Sequence, residues 1–472
     1  MNFAITGTYT DLYQITMGQA YFLGGERDLQ ATFDYFFRKT PNAGGYTVFA
    51  GLADALAMLQ DLHFSAQDIE YLTSLGFDAR YLKHLGQLRF RGTVHGVLEG
   101  DVIFPSEPVL RVSGNIIEVQ LVETLLLNVL NFQSLVATKA ARIRSVAGNA
   151  ILSEFGLRRA QGLGGLWAAR AAVVGGFDST SNVAAARLYG LRAEGTMAHS
   201  FIQLHEDELT AFRKYVQAHP DRATLLVDTY NTLDSGVPNA ITVGHEMAAR
   251  GQRLRAIRLD SGDLAFLSRK ARTLLDDAGL HEVKIAASNQ LDETIIRSLL
   301  QQGAPIDIFG VGTSLVTGQP DAALDGVYKL AAAGDAPRIK ISENITKITL
   351  PGVKQVWRMF DADGKFQGAD VVGMASEAQP ARMVDPFDAE KTLDLSSLRG
   401  EAQLQLLMDK GEPVQPLAGV GEAARYCKER LALLPDEYKR LEYPHKYKVG
   451  ISDTLHDLRN ALRRRHAPGK TP

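Results

Sequence analysis

Cysteine is almost absent: 472 residues contain one, Cys427. A lone thiol closes no disulfide within the chain and builds no zinc site by itself, which points to a reducing compartment. A dominant charge of either sign is missing too. The formal net charge is -3, with acids and bases interspersed, so no long-range field favours nucleic acid or an anionic membrane as a partner. An anionic ligand must therefore be gripped locally. No charge-free apolar run is long enough for a bilayer, and the opening MNFAITGTYTDLYQ lacks the basic and apolar regions of a signal peptide. A cytoplasmic protein is expected. Metal motifs are missing as well: there is no HExxH, no cysteine cluster and no GxxxxGK(S/T) loop. Any Mg²⁺ would have to arrive with phosphates. The basic tail RNALRRRHAPGKTP reads as a solvated helix end and receives no role.

Apolar content is ample, and the length suggests about two domains. From Ala31 to Val112 the strand candidates ATFDYFF, YTVFA, GTVHGVL and PVLRV surround the helical SAQDIEYLTSLG, with Ser65 as its cap. Two helical runs follow, IIEVQLVETLLLNVLN and FQSLVATKAARIRSVAG, the second ending at Gly148. The texture then becomes regular. TLLVD, LRAIRLD, VKIAAS and IDIFG alternate with amphipathic helices, and their centres lie 30, 28 and 23 residues apart, the length of a strand plus its return helix. Adding AILSEF, the segment around GGFD, AEGTMA and GVYKLA as a closing strand brings the count to about eight, which favours a barrel over an open sheet. The stretches after Ile339, IKISENITKITLPG and KQVWRMFDADGKFQGADVV, return to strand and turn, with a hairpin at Asp363 and Gly364. The expected fold class is α/β: an irregular (β/α) barrel over 131–338, an α/β sandwich domain over 1–130, and a segment 339–472 that partly rejoins the latter.

Loops leaving parallel strands build barrel active sites. The tails here are EFGLRR, GGFDST, GTMAHS, VDTYN, RLDSGD, ASNQ and GVGTS: small, hydroxylic or charged. His199 thus holds the same station as Asp228, Asp260, Asn289 and Thr313. Such residues also cap helices, and capping alone explains Ser179 and Asp292. It explains less of Gly310 to Ser314, where bare amides and two hydroxyls suit a phosphate. Arg258 with Asp260 and Asp263 can grip phosphate and sugar hydroxyls, or simply pair and cap. Arg158 and Arg159 match a substrate with several phosphates, if they lie at the mouth. His199 then reads as a nucleophile or acid-base group beside phosphates. His205 reads as a surface or packing residue.

In their order, TDLYQITMGQAYF, EFGLRRAQG, GGFDSTSNVAAARLYG, GTMAHSF, RLDSGDL, ASNQLDE, GVGTSLVTG and KQVWR resemble the nicotinate phosphoribosyltransferase family. The resemblance spans about Thr10 to Arg358. It implies the irregular barrel and sandwich just described, with nicotinate and phosphoribosyl pyrophosphate as substrates in NAD salvage. ATP would be co-substrate, hydrolysed through a phosphohistidine at His199. Thr196 and Arg258 would contact nicotinate or the donor, Asp260 the ribose, Gly312 and Thr313 the 5'-phosphate, and Arg158 donor phosphate. Phe155 and Tyr13 would sandwich the pyridine ring, Tyr13 coming from the second subunit of a homodimer with shared sites; Tyr13, Met17 and Tyr21 also read as the core face of their helix, and both readings hold together if that helix packs at the dimer seam. Two rivals stand beside this: a nicotinamide-using relative, and a silent metabolite-binding paralogue. A barrel aldolase is disfavoured, since no strand tail carries a lysine suited to a Schiff base.

Overall fold

The alternation of apolar run and amphipathic helix after Gly148 folds as a parallel sheet. The computed structural model describes residues 5–343 and 348–466, so 344–347 of IKISENITKITLPG and 467–472 of the basic tail lie outside the described residues. The chain divides into two units, one of Met1–Leu135 with Ala323–Pro472, the other Val136–Ala322.

In the second unit six strands run in the order Ser179–Thr180, Ile151–Glu154, Ile308–Val311, Lys284–Ser288, Ala256–Leu259 and Thr224–Leu226. Every pairing is parallel. Ile308–Val311 and Thr224–Leu226 are buried along their whole length, as strands covered by helices on both faces must be. Parallel strands leave the sheet at one common edge, so their C-terminal loops are gathered there. The helices start where short acidic or amide side chains cap them: Asp207 accepts from Thr210 N, Asp263 from Phe266 N, and Asp292 from Thr294 N and Ile295 N. Ser179 is not a cap. It lies in a strand, and Asn182 caps the next helix through Ala185 N.

Six strands make a half-barrel sheet, not the eight expected among the described residues. AEGTMA adds only a parallel bridge between Thr180 and Ala193. GVYKLA does not close the series: Gly326–Ala333 pairs antiparallel with Gln30–Phe37 in the first unit. A cross-strand aromatic pair holds it there, the Phe33 ring stacked on Tyr328 at 4.9 Å. The two helical runs before Gly148 also divide differently, into Ile116–Leu121 and the 24-residue Glu123–Val146, because nothing around Asn131 and Phe132 breaks a helix. Gly148, at φ 55°, follows in the left-handed region glycine tolerates.

The first unit contains a seven-stranded antiparallel sheet centred on Gln30–Phe37 and Leu110–Asn115, and a six-stranded mixed sheet centred on Phe366–Met374. Ser65 caps Ala66–Ser74 in a reciprocal box with Asp68. The hairpin at Asp363 and Gly364 joins Lys354–Phe360 to Phe366–Met374, with Gly364 at φ 77°. Lys354 and Arg358 of KQVWR point into buried ion pairs. Lys354 Nζ meets Asp34 at 2.8 Å, and the Arg358 guanidinium meets Asp101 and Asp370 at 2.9 Å each. No helix among the described residues is long and apolar enough to cross a membrane.

Candidate active site

Arg258 extends from the strand Ala256–Leu259, and each of its three nitrogens donates to a neighbour. Nε donates to the Ser288 hydroxyl at 2.8 Å, Nη1 to the Thr196 hydroxyl at 2.7 Å, and Nη2 to Asp260 Oδ1 at 2.7 Å. Three strand tails are thereby tied to one planar group, a geometry that lysine could not reproduce. Ser288 also donates to Asp260. Burial would raise the Asp260 carboxyl, but hydrogen bonds from Ser288 and Arg258, with the charges of Arg258 and His199, hold it below the ordinary aspartate value. Asp260 is therefore an anion throughout the neutral range. Its backbone is fixed as well: Asp228 Oδ2 accepts from Asp260 N at 2.8 Å and from the Ser261 hydroxyl at 2.6 Å.

His199 is the first residue of the short helix His199–Gln203. Its Nδ1 lies 3.0 Å from the Thr229 hydroxyl, and its Nε2 lies 4.0 Å from Asp260 Oδ2. The side chain remains 40% exposed, so it is held but reachable. His205 is a packing residue, as read: Nδ1 bonds to Phe201 O at 2.8 Å and the ring lies against Phe201.

The glycine-rich turn forms the neighbouring stretch of the same edge. Gly310 pairs in register with Ser288. A Cβ on Gly310 would stand 2.5 Å from the Phe155 ring, so this glycine is needed for packing and not only for approach to a ligand. Gly312 precedes the helix Thr313–Val316, whose first amides no side chain caps, and Thr313 is exposed. Arg158 is also exposed, just beyond Phe155, and its side chain has no hydrogen-bond or ion-pair partner among the described residues.

The second unit thus brings His199, Thr196, Arg258 and Asp260 into direct contact, and Phe155 against the turn that carries Gly312 and Thr313. Tyr13 belongs to the first unit, 46% exposed on Leu12–Gly24, whose buried face is Gln14, Ile15 and Gly18. Within the single chain Tyr13 therefore lies off the helix's buried face. Sequence reasoning missed Thr229 and Ser288 as partners of His199 and Arg258. Their only signal was position, at strand tails where hydroxyls abound. Among the described residues no three His, Cys, Asp or Glu side chains gather as a metal cage.

The chain is similar to known proteins along most of its length. Three family models match it: the nicotinate phosphoribosyltransferase N-terminal domain over residues 8–131, the nicotinate phosphoribosyltransferase family over 151–363 and the nicotinate phosphoribosyltransferase C-terminal domain over 353–459. Nicotinate phosphoribosyltransferase of Bacillus subtilis is 40% identical over 455 residues, covering 94% of this chain and 92% of that protein. The enzyme of that name from Dictyostelium discoideum is 36% identical, with 97% and 89% covered. The crystal structure of human nicotinic acid phosphoribosyltransferase superposes with a TM-score of 0.86 at 33% identity, covering 96% of this chain and 99% of that one. With the models spanning most of the sequence and relatives this similar along their whole length, the chain belongs to the nicotinate phosphoribosyltransferase family.

Proposed function

We propose that the protein transfers the phosphoribosyl group of 5-phosphoribosyl 1-pyrophosphate to nicotinate, giving nicotinate mononucleotide and pyrophosphate in NAD salvage. The observation that carries this reading is the Arg258 fork, which binds Thr196, Ser288 and Asp260 at once and sets an anionic carboxylate 4.0 Å from His199. In the reaction the C1–oxygen bond to pyrophosphate breaks, its electron pair leaving with pyrophosphate. The pyridine nitrogen supplies the pair for the new N–C1 bond as positive charge develops on the ribosyl ring. Asp260 faces that charge and the ribose hydroxyls. Arg258, already oriented, meets negative charge without reorganising, an effect worth about 2–4 kcal/mol of barrier for one such contact. Gly312 and Thr313 hold the 5'-phosphate at uncapped amides. The unpaired Arg158 takes donor phosphate, and Phe155 stacks on the pyridine ring, with Tyr13 on its other face from the second subunit of a homodimer.

ATP enters as co-substrate, its γ-phosphoryl passing to His199 and then to water. Thr229 holds one imidazole nitrogen, which fixes the ring for that transfer. Mg²⁺ would arrive and leave with the substrates, where it would neutralise their phosphates. The parallel sheet, continued by the bridge at Ala193, forms part of an irregular (β/α) barrel, and the cytoplasm is the compartment. Purified protein given the donor, Mg²⁺ and equal nicotinate and nicotinamide tests the reading. Nicotinate mononucleotide should dominate; equal or greater use of nicotinamide, or no mononucleotide, would refute it.

A further inference from the structure

Glu154 ends the strand Ile151–Glu154, directly before Phe155, and is 1% exposed. Its two carboxylate oxygens serve two different strand tails. Oε1 accepts from the backbone N–H of Gly156, inside the turn EFGLRR. Oε2 accepts from the Thr180 hydroxyl at 2.5 Å, at the head of the next tail. The Thr180 oxygen in turn accepts from Asn182 N at 3.0 Å, and Asn182 caps the helix Val183–Tyr189. One side chain thus joins the turn that carries Phe155 and Arg158 to the loop leaving Ser179–Thr180.

No cation pairs with this carboxylate among the described residues, and burial raises it above the ordinary glutamate value against both hydrogen bonds. The two strands do not require it for pairing: one position earlier, Ser153 and Ser179 meet as neutral hydroxyls at 2.7 Å. A buried carboxyl without a cation is costly. What it adds here is two acceptor oxygens that reach separate loops at once. The turn is held from other sides as well. Phe155 N donates to Val311 O at 2.8 Å, and a Cβ on Gly156 would stand 2.2 Å from the Val316 side chain. Glu154 fixes it toward Thr180.

We propose that Glu154 is a positioning residue of the ring site: by holding Gly156 and Thr180 together, it sets where the Phe155 ring stands for the pyridine of nicotinate. The inference rests on the reading of Phe155 as the side chain that stacks on that ring. Glu154 acts through its neighbours and touches no reacting atom. A stacked ring registers a small shift of Phe155, whereas Arg158, exposed and two residues beyond Gly156, reaches its phosphate on a flexible side chain. Loss of the clamp therefore falls on nicotinate more than on the donor.

Steady-state kinetics on the full chain test this, with each substrate varied against a saturating amount of the other. Glu154→Gln keeps the shape but turns one of the two acceptors into a donor. The KM for nicotinate should rise about three- to tenfold, the worth of one hydrogen bond, while kcat and the KM for the donor change less than about twofold. The melting temperature should stay level or rise, since a buried charge is removed. Thr180→Val opens the other end of the clamp and should raise the same KM, and the double variant should be no worse than the poorer single one, because both break one contact. Phe155→Leu, which removes the stacking ring, is the control. With the KM for nicotinate raised in Phe155→Leu, three results would each overturn the proposal: an unchanged KM in Glu154→Gln, rises that multiply in the double variant, or equal rises for both substrates with a lower melting temperature. If Phe155→Leu leaves that KM unchanged, the ring reading itself falls and the proposal with it. If Glu154→Gln fails to fold, an unchanged KM for nicotinate in Thr180→Val overturns the proposal instead.

Discussion

Thr229 decides how His199 presents its imidazole. Among the described residues the hydroxyl 3.0 Å from Nδ1 is the one hydrogen bond to the ring, while Asp260 lies farther off, at 4.0 Å. Thr229→Val keeps the shape and β-branching but loses the oxygen, so the ring gains freedom without a change in packing. ATP-coupled turnover should fall about three- to tenfold, the worth of one neutral hydrogen bond. Thr229→Ser should restore it. The checks are ADP release and the ³¹P signal of phosphohistidine, with thermal melting to show that the fold is intact. A Thr229→Val enzyme that forms phosphohistidine at the normal rate would remove Thr229 from the mechanism.

At the scale of elements, the strand Ile308–Val311 links packing to the site. Gly310 carries Phe155 on its face and sits in register with Ser288, which bonds both Arg258 and Asp260. Gly310→Ala would drive a methyl into the Phe155 ring, an overpacking that costs about 1–3 kcal/mol. Denaturant melts should show that loss, and the KM for nicotinate should rise as the ring is pushed aside. Unchanged stability and KM would mean that Phe155 moves freely and does not define a pocket. The strand and helix series was legible because parallel strands buried on both faces leave continuous apolar runs at near-even spacing. Arg258 and Asp260 were legible for a related reason, since they end such a run, and His199 through the small-residue tail it follows, whereas Thr196 entered only through the family resemblance. GVYKLA was not: its composition suits either sheet, and its antiparallel pairing with Gln30–Phe37, with Phe33 stacked on Tyr328, assigns it. Thr229 and Ser288 were hidden because a hydroxyl after a strand is equally a helix cap, and sequence carries no distance.

At the scale of the whole molecule, the matched motifs divide into two kinds of work. GTMAHSF, RLDSGDL and ASNQLDE converge in the second unit on one network of contacts. KQVWR belongs to the first unit and holds it together: Arg358, fully buried, meets Asp101 and Asp370 while its guanidinium lies 4.9 Å from the Phe366 ring centre. Arg358→Met would leave those carboxylates, and Glu107 nearby, without their shared cation. The expected loss is about 3–5 kcal/mol of stability, read from the denaturant midpoint. A variant as stable as the parent would show that Arg430 and Tyr447 suffice to hold the network.

In the proposed mechanism His199 couples ATP hydrolysis to a transfer that the surrounding Arg258 and Asp260 perform. This coupling is tested most directly by counting ADP and mononucleotide together, in the parent and in His199→Ala, with phosphoribosyl pyrophosphate, Mg²⁺ and nicotinate, with and without ATP. ATP should raise mononucleotide output with matching ADP in the parent, while His199→Ala should still make some mononucleotide and gain nothing from ATP. Full ATP stimulation and full ADP release in His199→Ala would contradict it.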